Sequence, residues 1–141
     1  MIGLLALVAA ALFAGAAVYV SIAEHPARLE LEAEAQLRQW KPSYKRGALM
    51  QASLALLGFI LGMAAAWQSG DLAFGAGALV LVANWPYTLL IIKPVNDELL
   101  ASDPATAGDE VRRKLGRWGR LHAVRTALGL AAVAIFLYAL S

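Results

Sequence analysis

The chain has no cysteine among its 141 residues, which excludes disulfides, cysteine-ligated zinc or iron–sulfur sites and any thiol redox relay. It is also short of charge: 16% of residues are Asp, Glu, Lys or Arg, against about 25% in an ordinary soluble domain. Neither sign dominates, since twelve Lys and Arg oppose ten Asp and Glu, and a net charge of +2 gives no support for a nucleic-acid-binding face. Apolar side chains take the place of the missing charge. At 60% of the chain they exceed what one small soluble core can hide, whereas a bilayer lets whole helices stay apolar on every face.

Four apolar runs, at about residues 2–23, 47–67, 72–92 and 121–140, each approach the ~20 residues that cross a ~30 Å hydrocarbon layer. The first lacks a basic leader and is too long for a signal-peptide core, so it reads as a mature helix. Backbone groups in hydrocarbon must pair internally, and runs without period-2 alternation favour helices over a barrel. The fold class is therefore all-α: one integral membrane domain over 1–141, a bundle of four transmembrane helices. Lys and Arg outside the spans number five in the first connection, none in the second and six in the third. The positive-inside rule puts both long connections in the cytoplasm and both termini outside, in a multi-pass inner-membrane protein.

Leu29, Ala33, Leu37 and Trp40 recur at helical spacing among charges, which predicts an amphipathic interfacial helix in the first cytoplasmic loop. Gln68-Ser69-Gly70-Asp71 predicts a tight turn that makes helices two and three antiparallel neighbours, with Gly58, Gly62, Gly75 and Gly77 as points of close approach. Pro86 predicts a local opening that frees the carbonyl of Val82. Pro94 predicts the end of the third helix, with Asn96 and Glu98 on a turn below it. Asp103-Pro104 and Gly108-Asp109 read as helix starts, the second opening a helix that runs through the fourth span.

Polar residues gather at one membrane level, where each costs a few kcal/mol unless paired or hydrated. Glu24 and His25 end the first helix, Tyr44 and Gln51 open the second, and Asn84 and Thr88 share one face of the third. Trp118, His122 and Arg125 share one face of the fourth. Plainer roles exist for several of them. Glu24 and Arg28 have the spacing of an interfacial ion pair, Trp40 and Trp67 that of an aromatic belt, Asn84 that of an interhelical clip, and Lys41 and Lys45 that of topology determinants. Two histidines at one depth, with Arg125, Asn84 and Asn96 near them, point to a shared pocket.

The segments VYVSIAEHPA at 18–27, WKPSY at 40–44, Pro86-Tyr87-Thr88 leading to KPVN at 93–96, and WGRLHAVR at 118–125 together resemble the anthrone oxygenase family of small four-helix membrane proteins. The resemblance covers most of the chain. It implies oxidation of an anthrone to an anthraquinone by molecular oxygen, without flavin or haem. The residues suit that chemistry. His25 or His122 could take the acidic carbon-bound proton. Arg125, Asn84 and Asn96 could donate to the developing oxyanion, and Trp85, Trp118 and Tyr44 could stack on a flat substrate, with Thr88 beside Asn84.

No resident metal or cofactor is expected on this reading. The rival is a haem or a divalent metal held by His25 and His122, with Glu24 or Glu98 assisting. A second rival is a non-catalytic structural or partner-binding module. The partners expected are the lipid bilayer and a hydrophobic small molecule entering from it, with self-assembly into a homo-oligomer left open. A transporter lacks an alternating-access path, and a vitamin K-type quinone reductase lacks its cysteine pair.

Overall fold

A computed structural model describes residues 1–141 as four long helices: α1 (Ile2–Leu29), α2 (Ala33–Ser69), α3 (Leu72–Ala101) and α4 (Asp109–Leu140). All four are long and apolar enough to cross a bilayer. Their outward faces carry Leu4, Leu12, Ile60, Leu79 and Leu137 without protein cover, so the chain is a multi-pass membrane protein whose outer surface suits lipid. The helices form a ring in chain order. Neighbours in sequence pack against each other, and α1 closes the ring on α4.

Small residues set the spacing in the half of the bundle that holds the termini. A Cβ on Gly62 would sit 2.8 Å from that of Ala78 and 2.9 Å from the ring of Phe136, and Gly77 touches the same ring. Ala6, Ala10 and Ala17 of α1 pack with Phe13, Phe74, Leu81 and Phe136 in that core. The α2–α3 turn is as tight as its sequence predicts. Gly70 closes α2 with φ 74°, a left-handed conformation that favours glycine, and the Asp71 carboxylate accepts from the Ala73 N–H at 2.8 Å.

The half that holds the long connections is built differently, and two expectations change there. Pro94 does not end α3. A π-turn over Thr88–Ile92 precedes it, and the Lys93 N–H reaches back to the Thr88 carbonyl, so the wider turn makes room for the proline ring and the helix continues to Ala101. Asn96 therefore lies inside the bundle rather than on a turn beneath it. The same device precedes Pro26: a π-turn over Val20–Glu24, closed by the His25 N–H on the Val20 carbonyl, carries α1 through to Leu29. Near Pro86, α3 is interrupted at Ala83.

The amphipathic segment of the first loop is continuous with α2, which starts at Ala33 and runs through Pro42 without a break. Its apolar stripe buries Leu37 and Trp40 against Val95, Leu99, Leu115 and Trp118, in a second core below the membrane level of the first. Lys41 caps α3, donating to the carbonyls of Leu100 at 2.9 Å and Ser102 at 2.6 Å. Arg112 joins the start of α4 to Glu32 at 2.8 Å. α4 begins at Asp109, as its sequence predicts.

Candidate functional site

Between the two cores lies a chamber of about 520 Å³, within the size range of small-molecule sites. Tyr44, Asn96, Trp118, His122 and Arg125 line it. Asn84, Thr88 and Trp85 line a second cavity of about 190 Å³ between α2 and α3, on the far side of Arg125. His25 lines neither. Its imidazole packs behind Trp118 at 5.1 Å between ring centres, against Gly119, where a Cβ would lie 2.4 Å from its Nε2.

The two histidines differ in what their ring nitrogens can still do. Arg28 Nη1 lies 2.9 Å from His25 Nδ1. A guanidinium only donates, so Nδ1 accepts and the ring proton sits on Nε2, which is sealed without a partner. Both nitrogens of His25 are therefore occupied or enclosed.

At His122 the order is reversed. Thr126 Oγ1 donates to the Ala17 carbonyl at 3.1 Å and has no second proton, so at 2.9 Å it must accept from Ser21 Oγ. Ser21, its own proton thus used, accepts at 3.2 Å from His122 Nδ1–H. The proton of His122 is held on Nδ1 and its Nε2 keeps a free lone pair. That nitrogen makes no hydrogen bond and, unlike Nε2 of His25, is not sealed by protein. Ser21 reaches this position from within the π-turn of α1. An inserted residue of that kind turns the side chains after it by roughly 100° about the helix axis.

The two buried arginines differ as well. Arg28 is fully engaged, with Nη2 on Glu24 Oε1 at 2.6 Å, Nη1 on His25 and Nε on Gln39. Glu24 also accepts from Ser43 and from Gln39, so this corner of the chamber is a closed, charge-balanced network. Arg125, 8% exposed, donates from Nη2 to Gln51 Oε1 at 3.0 Å and lies 5.7 Å over the Phe13 ring. It forms no salt bridge, and its Nε has no partner. A buried cation with only neutral neighbours leaves room for one negative charge in the chamber.

The aromatic wall is fixed in place. Trp118 Nε1 donates to Asn96 Oδ1 at 2.9 Å, and its ring stacks on His122 at 4.9 Å and meets the edge of Trp40 at 5.9 Å. Tyr44 lies flat on Trp40, 4.8 Å between centres and 6° between planes. The rim, at Tyr19, Pro42, Arg46 and Met50, is exposed between α1 and α2 on the side that faces lipid.

The family model described as anthrone oxygenase matches residues 40–135. The chain belongs to the anthrone oxygenase family. An anthrone oxygenase, tpcL, of Aspergillus fumigatus is 29% identical over 131 residues, covering 86% of this chain and 81% of that protein. No solved structure matches. In this member of the anthrone oxygenase family, the matched stretch contains His122, Arg125, Asn96, Trp118 and Tyr44, while Ser21, Glu24 and Arg28 precede it.

Several chamber residues were not singled out as site residues by sequence reasoning: Ser21, Glu24, Arg28, Gln39, Ser43, Gln51 and Thr126. Two signals were available. Thr126 stands one turn after His122 on the same face, and Gln51 is a lone amide in an apolar run. Ser21 gives none, because its direction depends on the π-turn.

Proposed function

We propose that this chain oxidises an anthrone-like aromatic with molecular oxygen, using His122 as the base and Arg125 as the anion site. One observation carries the reading: a free imidazole nitrogen and an unpaired guanidinium open into the same chamber. The carbon between the two aryl rings of an anthrone holds an acidic proton, because its loss gives a conjugated enolate. His122 Nε2 accepts that proton, and Arg125 stabilises the charge that appears on the enolate oxygen in a low-dielectric site. Trp118 and Tyr44 stack on the planar rings, and Asn96 holds Trp118 in register. The substrate enters from lipid between α1 and α2.

His25 acts as a positioning residue, fixing Arg28 and the back of Trp118. A reading without resident haem or metal is supported by the donor set. His25 has no free nitrogen, and no three His, Asp or Glu side chains converge. The five Lys and Arg of the first connection and the six of the third support an inner-membrane orientation with both long connections cytoplasmic.

The test is oxygen uptake with anthraquinone formation by the purified protein in lipid nanodiscs given a simple anthrone. Turnover above the spontaneous rate, lost in His122→Gln and retained in part in His25→Asn, is the expected result. Equal rates with and without protein would overturn the reading and favour a structural or partner-binding module.

A further inference from the structure

The second cavity, between α2 and α3, has no part in the steps above. Its volume is about 190 Å³, and its walls are almost wholly apolar, with Ala48, Ala52 and Ala55 on one side and Leu89 on the other. Trp85 and Leu89 are exposed, so its rim lies on the lipid-facing surface. Apolar cavities of roughly 150 Å³ stay dry and admit guests such as xenon. Ala48, Gln51 and Arg125 line both cavities, so a single layer of side chains separates them. Two of the residues lining the smaller one, Asn84 and Arg125, are more than nine-tenths buried and each retains an unpartnered polar atom, Oδ1 and Nε.

We propose that this cavity is the dioxygen site, admitting O2 from the bilayer and presenting it to the aromatic guest past the small side chain of Ala48. The inference rests on the oxygenase reading and deepens it. Dioxygen is apolar and partitions into hydrocarbon, which suits a dry cavity with a lipid-side rim. It has two unpaired electrons, so the enolate passes one electron first, giving superoxide and a carbon radical. These combine into a C–O bond, and the distal oxygen takes a proton. The hydroperoxide then loses water, its O–O bond breaking as the remaining C–H proton leaves. The CH2 carbon has become C=O, and the oxygen atoms of O2 end in the quinone and in water. Superoxide is an anion formed beside Arg125, the cation that has no carboxylate, and the field that holds the enolate therefore also favours the electron transfer.

The experiment has two arms on the full chain. Xenon-pressurised crystals should show xenon in the α2–α3 cavity, and Ala52→Leu should remove it. With an anthrone as substrate, Ala52→Leu should raise KM for oxygen by about tenfold and leave KM for the anthrone unchanged. Leu89→Phe closes the same cavity from the lipid side and serves if Ala52→Leu does not fold. Absence of xenon from the unsubstituted protein, or an unchanged oxygen KM in a folded, cavity-filled variant, would overturn the proposal. Failure of the unsubstituted protein to turn over any anthrone would sink the oxygenase reading instead, with the xenon arm still deciding the cavity.

Discussion

The half of the bundle that holds the termini and the half that holds the long connections use the same four helices for opposite ends. In the first, alanine and glycine let the backbones approach until Gly62, Ala78 and Phe136 touch, and no polar side chain is enclosed. In the second, both π-turns and the interruption at Ala83 open the helices where His122, Arg125 and Asn84 stand, and the two cavities lie there. Regular helices packed on small residues leave no volume. Irregular ones leave volume and re-aim side chains, which is why helix irregularities collect at functional sites.

The largest effect that should separate the halves is on turnover. His122→Gln should lower kcat by a factor of about 100 or more, the ordinary contribution of a general base. Its thermal midpoint should stay close to that of the unsubstituted protein when measured in the same lipid. Arg125→Met keeps the bulk and removes the charge. It should lower kcat/KM for the anthrone by at least about tenfold, whereas Arg46→Met, at the exposed rim, should change it little. Gly62→Val does the reverse of the His122 change. Two further methyl groups against Ala78 and Phe136 should destabilise the bundle by about 1–3 kcal/mol in a reversible unfolding assay, with kcat of the remaining folded protein unaffected. The smallest effect belongs to Ser21→Ala, which releases the proton of His122 from its acceptor. A fall in kcat of about tenfold at constant KM is expected, restored by Ser21→Thr, because Thr keeps the hydroxyl.

The apolar half was almost fully legible from the amino-acid sequence. Run length gives the spans, Gly70 gives the turn, and small residues at helical spacing give the contacts, because each of these depends on local composition. The polar half was legible in content but not in direction. Residues 24–25, 44, 84, 96, 118, 122 and 125 do collect at one level. Which of them face the chamber depends on the π-turns, since one inserted residue rotates everything that follows. Pro94 shows the difficulty: the same residue that stops an α-helix passes through a widened turn, and Asn96 moves from the surface to the core. The distinction between His25 and His122 lay further beyond reach, because it rests on Arg28, Ser21 and Thr126, which belong to different turns and helices.

The central claim is that His122, and not His25, keeps a free ring nitrogen. Nitrogen NMR of the protein in bilayers with ¹⁵N-labelled histidine, assigned by single His→Gln variants, reads the tautomer of each ring directly. The structure predicts Nδ1–H with a bare Nε2 at residue 122 and Nε2–H with an accepting Nδ1 at residue 25. A protonated Nε2 at residue 122 would contradict it.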